Sequence, residues 1–129
     1  MNNILIDALK DAGSLLLGYF NKPVTAIQKE SQSSIVTVAD LESEKLIVDI
    51  IRSEYPSHNI LSEECGFIDN RSEYTWIIDP LDGTSNFASG VPWFGVLITL
   101  FSGNQPEMAG AYLPVSGDLY FAEKGKGTV

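Results

Sequence analysis

Residues 76–87 read WIIDPLDGTSNF. This stretch combines an apolar β-prone run, two carboxylates three positions apart and a Gly-Thr pair at which the backbone must turn. Residues 76–78 predict a buried strand that delivers Asp79 to its end, and Pro80 stops the strand because it has no N–H for a sheet ladder. We therefore expect the chemistry of this protein at the end of a strand.

The two carboxylates of the stretch predict a cation. Asp79 and Asp82 would repel each other unless a hard divalent metal lay between them, and oxygen-only ligands favour Mg²⁺, Mn²⁺ or Ca²⁺ over zinc. Gly83 permits a tight turn, and its N–H and that of Thr84 would face an anion such as a phosphate if a short helix begins there. The alternative is an Asx-type turn at the surface. The buried strand before the pair and Phe87 after it favour the functional interpretation.

Three segments resemble the inositol monophosphatase family. Residues 76–87 resemble its W-I-x-D-P-[LI]-D-G-T-x-N-F signature, and residues 61–64 (LSEE) resemble its G-E-E segment, with Ser62 where glycine is usual. Residues 36–44 resemble its V-T-x-x-D-x-x-x-E segment, including Asp40 and Glu44. The resemblance extends over essentially the whole chain, but the second signature of the family, W-D-x-A-A-G, is absent. We expect residues 1–129 to be the N-terminal metal- and phosphate-binding domain of a larger enzyme.

The resemblance implies the layered α/β/α/β/α sugar-phosphatase fold, of which this chain would supply the first layers. It implies Mg²⁺-dependent hydrolysis of a small polyol or sugar phosphate such as inositol monophosphate, by an enzyme that is a homodimer when complete. Bisphosphate nucleotidase and fructose-bisphosphatase are the alternatives within the enzyme class, and Ser85-Asn86 in place of the Lys-Glu of the nucleotide-specific branch favours the inositol type. Partnership with the transcription machinery is the alternative outside it. The chain alone is expected to be close to inactive.

The resemblance also implies a ligand set for two metal ions. Glu63, Asp79 and the carbonyl of Leu81 would hold the first ion. Asp79 would bridge to a second ion that Asp82 also binds, and the family completes that second site with the aspartate of the missing signature. Considered without the resemblance, the adjacent pair Glu63-Glu64 predicts an ordinary solvated loop.

Catalytic roles follow from the same resemblance. Asp40 and Thr84 would orient the attacking water beside the metal ligand Glu63. Helix capping alone also explains Asp40, and the two roles are compatible. Lys29 would contribute to a loop that carries a third, weaker ion, with a solvated lysine as the alternative. The substrate phosphate is expected at four consecutive residues: Leu81, Asp82, Gly83 and Thr84.

The remaining patterns predict an α+β fold with two helices packed on an antiparallel sheet. Apolar spacing predicts the first helix over residues 4–20, followed by a loop or weak hairpin over residues 25–34. A capping box with Thr37 as N-cap and Asp40 as the third helical residue predicts that the second helix starts there. Short strands are expected at residues 60–61 and 75–78, and an antiparallel meander at residues 94–101, 107–113 and 119–122, with a loop over residues 123–127.

Composition excludes some classes of function. A net charge of −9 over 129 residues argues against a nucleic-acid surface, because phosphate backbones need clustered Lys and Arg. The single cysteine, Cys65, favours a reducing compartment. The sequence contains no apolar run that approaches the roughly 20 residues of a membrane span. We therefore expect a cytoplasmic protein. His58 is expected to face solvent in a turn, and a Cys65–His58 nucleophile is disfavoured because no third orienting group is apparent.

Overall fold

Two long helices pack against one face of a seven-stranded sheet. The computed structural model describes residues 2–20, 29–62, 65–125 and 127–128, with side chains described over residues 2–20, 37–62 and 65–125. In chain order the elements are α1 (Asn2–Phe20), α2 (Lys29–Glu54), β1 (Asn59–Ser62), β2 (Gly66–Ile68), β3 (Tyr74–Asp82), α3 (Thr84–Ser89), β4 (Gly95–Ser102), β5 (Gln105–Leu113), β6 (Asp118–Glu123) and β7 (Gly127–Thr128).

The strand order is β2-β1-β3-β4-β5-β6-β7. The antiparallel meander of β4, β5 and β6 is confirmed, and so is the α+β class. One pairing differs from the expected antiparallel sheet, because β1 lies parallel to β3. β2 pairs with one edge of β1 and β3 pairs with the other, so the chain must pass from one side of β1 to the other between β2 and β3. Buried Asn59 holds this connection, since its Oδ1 accepts from Asn70 N at 2.8 Å and its Nδ2 donates to Ser72 O at 2.8 Å.

The first helix has the apolar face that its spacing predicts. Leu5 and Leu9 are fully buried and lie against β5. Gly110 makes this close approach possible, because a Cβ there would lie 2.5 Å from Leu9 Cδ1 and 2.6 Å from Leu5 Cδ2. Neither α1 nor any other helix in the described part of the chain combines the length and apolar character that crossing a membrane requires.

The second helix begins earlier than predicted. It starts at Lys29, so Thr37 is an interior residue and not an N-cap, and residues 29–34 are helical where a loop was expected. The physical reason is that residues 29–54 contain neither proline nor glycine, and Lys, Glu and Gln favour helix at its start. Asp40 therefore lies within the helix. The remainder of the predicted loop, residues 25–28, lies outside the described residues.

The third strand also exceeds its predicted end. It continues past Ile78 to Asp82, and the register with β4 shifts between Asp79 and Asp82. Pro80 lies inside this irregularity, and a bulge is one of the few places where a sheet tolerates a residue without an N–H. Proline thus interrupts the ladder without ending the strand.

The sheet has one covered and one exposed face. Trp76, Ile78 and Ile98 are buried toward the helices. On the opposite face large apolar side chains remain exposed in the part of the chain that the structure describes, and Phe67 is 55% accessible. The residues of this open face are Leu61, Phe67, Ile77, Leu97 and Tyr120. In the ladder Leu61 lies beside both Phe67 and Ile77, so the apolar surface continues across strands.

Candidate metal and phosphate site

The site is built on the bulge of β3. Asp79 pairs with Leu97 and Asp82 with Gly95, while Pro80 and Leu81 between them are buried. Asp79 is half-buried and Asp82 is exposed. The two carboxylates therefore lie at the irregular end of a buried strand, although the strand does not stop where the sequence predicted.

The turn after the bulge requires glycine. Gly83 has φ +83°, and a Cβ there would lie 2.8 Å from the carbonyl oxygen of Trp93. The first helical hydrogen bond of α3 runs from Phe87 N to Gly83 O at 3.0 Å, so a short helix does begin at Thr84 as expected. Asn86 Nδ2 donates to Trp93 O at 2.8 Å and fixes the turn against the start of β4.

Aromatic packing holds α3 in place. Phe87 and Phe94 are buried with their ring centroids 4.9 Å apart in an edge-to-face arrangement, and Phe20 of α1 lies 4.8 Å from Phe94. Trp93 is 67% exposed and its carbonyl borders the Gly83 turn, whereas Phe94 is buried in the core. The apolar cluster orients the polar turn above it.

The structure brings α2, which carries Asp40, into contact with both β3 and α3. Asp40 is half-buried and its Oδ1 is buried, whereas Thr84 at the start of α3 is exposed. These contacts place α2 against β3, which carries Asp79, and against α3, which carries Thr84. The roles given to these side chains and to Gly83 and Leu81 remain predictions.

The third carboxylate predicted for the site is that of Glu63. Glu63 and Glu64 lie outside the described residues, and the side chain of Lys29 does as well. Ser62 pairs with Ile78 in the parallel register, and Glu63 follows Ser62 in the sequence as Asp79 follows Ile78. Among the described residues no three His, Cys, Asp or Glu side chains form a group that could hold a metal ion.

The chemistry of the donors at the bulge fits a hard divalent cation. Asp79, Asp82 and the Leu81 carbonyl offer only oxygen, which Mg²⁺ and Ca²⁺ prefer. The softer donors of the chain lie elsewhere: His58 is occupied by Trp76, and Cys65 follows β1. The bulge is therefore suited to Mg²⁺ and unsuited to zinc.

Two hydrogen bonds near the bulge, made by Ser43 and Glu44, were not predicted from the sequence. Ser43 Oγ donates to the Pro80 carbonyl at 2.7 Å, and Glu44 Oε2 accepts from Ser62 Oγ at 2.8 Å. Glu44 is 6% exposed. Its place in the segment of residues 36–44 was the one available signal, and nothing local distinguishes Ser43 from any other helical serine.

His58 is buried, which corrects the expectation that it faces solvent. Its ring stacks on Tyr55 at 4.6 Å and its Nδ1 accepts from Trp76 Nε1 at 2.9 Å. Burial lowers its pKa below 6.5. Cys65 is exposed, but partial desolvation of its thiol and the nearby Glu44 carboxylate raise its pKa, which is the opposite of what a thiolate nucleophile needs.

Comparisons with known proteins agree on one family. A Nus factor SuhB of Pasteurella multocida (strain Pm70) is 37% identical over 129 residues, covering 98% of this chain and 48% of that relative. The fructose-1,6-bisphosphatase/inositol-1-monophosphatase of Aquifex aeolicus (strain VF5) is 39% identical over 101 residues, covering 78% of this chain and 38% of that relative. The structure of an inositol monophosphatase from Anabaena (Nostoc) sp. PCC 7120 superposes with a TM-score of 0.84 at 37% identity, covering 98% of this chain and 45% of that one.

This chain spans about half the length of the curated relatives that it matches. The model of the inositol monophosphatase family matches residues 1–129, and the solved structure shares the fold over nearly all of them. The chain therefore belongs to the inositol monophosphatase family.

Proposed function

We propose that this chain forms the metal- and phosphate-binding half of a Mg²⁺-dependent phosphomonoesterase acting on a small polyol or sugar phosphate such as inositol monophosphate. The observation that carries the proposal is the β3 bulge, where Asp79 and Asp82 flank a buried dipeptide and Gly83 turns the backbone into α3. The family includes phosphatases of sugar and polyol phosphates, which agrees with this donor set.

In the proposed site Asp79, Asp82, the Leu81 carbonyl and Glu63 would hold Mg²⁺. When bound, Mg²⁺ supplies positive charge that neutralises a phosphate ester and lowers the pKa of water. Chain connectivity supports the inclusion of Glu63, because it directly follows Ser62, whose strand partner Ile78 directly precedes Asp79.

The other roles belong to the turn and to α2. The Thr84 hydroxyl and the Asp40 carboxylate would orient the attacking water, and the amides of Gly83 and Thr84 would donate to phosphate oxygens. The first N–H groups of a helix have no partner within that helix, so those of α3 are available to an anion. The residues that select the polyol would come from the half of the relatives that this chain does not span, and the complete enzyme would be a cytoplasmic homodimer.

The test is a Mg²⁺ titration of the 129-residue chain and its Asp79→Asn variant by calorimetry. Phosphate release from inositol monophosphate is then measured after the second half of a full-length relative is added. Binding that disappears in Asp79→Asn, together with phosphate release that depends on the added half, supports the proposal. Equal Mg²⁺ affinity in the two proteins contradicts it.

A second candidate is a role as a partner in transcription, which the name Nus factor SuhB of the Pasteurella relative favours. The same Asp79→Asn variant separates the two functions. Undiminished binding of RNA polymerase components by a variant that binds no Mg²⁺ would support the binding role.

A further inference from the structure

Two adjacent residues of α2 hydrogen-bond to two neighbouring strands beside the bulge. Ser43 Oγ donates to the carbonyl of Pro80 on β3 at 2.7 Å, and Glu44 Oε2 accepts from the hydroxyl of Ser62, the last residue of β1, at 2.8 Å. Ser62 pairs with Ile78, so the two anchor points lie on adjacent strands. Both helical residues are buried.

The backbone ladder is irregular or ends at these two points of the sheet. The ladder between β3 and β4 is interrupted between Asp79 and Asp82, and β1 ends at Ser62. A bulge leaves backbone groups out of the ladder, and buried carbonyls need a donor. The Ser43 hydroxyl supplies that donor to Pro80, so a side chain of α2 restrains the bulge where the sheet does not.

Glu44 restrains the other strand in the same way. A buried carboxylate is costly unless it is hydrogen-bonded, and Ser62 provides one such bond. Asp40 lies four residues before Glu44, one helical turn away, so both carboxylates move with the same segment of α2.

We propose that Ser43 and Glu44 are positioning residues that fix the end of β1 relative to the β3 bulge and so set the spacing of the oxygen ligands on Asp79 and Asp82. This inference rests on the proposed function. Neither residue would touch the metal ion or the substrate. Their effect would be to keep the ligands at the geometry that a hard cation requires.

The experiment measures Mn²⁺ binding to the full 129-residue chain by electron paramagnetic resonance, with Mg²⁺ as competitor. Ser43→Ala and Glu44→Gln should each weaken Mn²⁺ binding by about tenfold or more, as the loss of groups that orient metal ligands does. The matched control is Ser53→Ala, because Ser53 lies on the same helix and donates to a backbone carbonyl at 2.8 Å but is exposed. It should bind within about twofold of wild type. Circular dichroism at the measuring temperature confirms that each protein is folded.

Milder variants keep the test decisive if a buried substitution unfolds the chain. Ser62→Ala removes the hydroxyl that Ser62 donates to Glu44 and should weaken Mn²⁺ binding, whereas Ser43→Thr keeps a hydroxyl at position 43 and should retain the wild-type affinity. Folded Ser43→Ala, Glu44→Gln or Ser62→Ala proteins with wild-type affinity overturn the inference and leave the proposed function intact. Wild-type chain that binds no Mn²⁺, or binding that Asp79→Asn leaves unchanged, overturns both.

Discussion

The indole Nε1 of Trp76 donates a 2.9 Å hydrogen bond to Nδ1 of His58. This bond requires the imidazole nitrogen to carry a lone pair, so it exists only while Nδ1 is unprotonated. Trp76 is fully buried and Tyr55 and Tyr74 lie against the His58 ring, at 4.6 and 4.9 Å between centroids. The cluster joins the end of α2 to β1 and β3 and holds a neutral histidine.

We expect the stability of the fold to depend on the protonation of His58. Burial lowers its pKa in the folded state below 6.5, so the unfolded chain takes up the proton first as the pH falls. The contribution is fully present above about pH 6.5 and is lost progressively below it, toward the folded-state pKa. Urea unfolding at pH 7.5 and pH 5.5 checks this for the wild type and for His58→Gln. Equal pH dependence in the two proteins contradicts the prediction.

Asp79→Asn tests the bridging ligand. In the complete enzyme a neutral amide cannot bridge two cations, so turnover should fall by roughly three orders of magnitude or more, with each tenfold equal to about 1.4 kcal/mol of barrier. Asp118→Asn is the matched control, because Asp118 is exposed at the start of β6. Turnover of Asp79→Asn within about tenfold of wild type would remove Asp79 from the metal site.

Thr84→Ala tests the role of orienting water. The residue is exposed at the first position of α3, where its hydroxyl is accessible to a substrate water. Turnover should fall about a hundredfold while Mg²⁺ affinity stays nearly unchanged, because a group that only positions water is not a ligand. Steady-state kinetics and calorimetry are compared on the same variant. A collapse of Mg²⁺ affinity would instead make Thr84 a ligand or a structural residue.

Gly83→Ala separates two causes of strain at the turn, the positive φ angle and the close approach of the Trp93 carbonyl. Gly83 and Gly117 both have positive φ, +83° and +77°, but only at Gly83 would a Cβ meet backbone, at 2.8 Å from Trp93 O. Gly117→Ala should lower the free energy of unfolding by about 1 kcal/mol, and Gly83→Ala by about 2 kcal/mol or more. Urea unfolding of the two variants gives the comparison. An equal loss would show that the Trp93 carbonyl moves away at little cost.

Local sequence patterns predicted the helices and strands whose formation depends on residues close together in the chain. Apolar spacing located α1, and turn signals such as Ser102-Gly103-Asn104 located the meander. Two predicted boundaries were wrong, the start of α2 and the end of β3. Thr37 resembles a helix cap but lies inside α2, and Pro80 resembles a strand stop but lies inside β3. In both cases the flanking structure overrode the signal.

Other features depend on residues distant in the chain and leave no local trace. His58 is enclosed by Trp76, 18 positions away, and Ser43 reaches Pro80 across 37 positions. The sequence around His58 is that of an ordinary turn. Sequence patterns could therefore identify the acidic residues of the candidate site, but not the side chains that hold the strands beneath it.

The open face of the sheet predicts the behaviour of the 129-residue chain in isolation. Leu61, Phe67, Ile77, Leu97 and Tyr120 are exposed on it, and contiguous apolar surface of this kind favours association. We expect the chain alone to be oligomeric or poorly soluble, to bind Mg²⁺ weakly and to be close to inactive on inositol monophosphate, because in the proposed site this chain offers the second ion only Asp79 and Asp82.

Light scattering and phosphate release by the purified chain check this expectation together. Tyr120→Glu should reduce self-association by placing a charge on the open face, on a strand that does not adjoin β3, since buried charge opposes association. Val115→Glu is the control, because Val115 is also exposed (42%, against 52% for Tyr120) but lies in the turn between β5 and β6. Neither change should raise the activity of the chain, because neither adds an oxygen ligand at the β3 bulge. A monomeric wild-type chain with the turnover of a full-length relative would show that these residues suffice as an enzyme, and both parts of the prediction would be wrong.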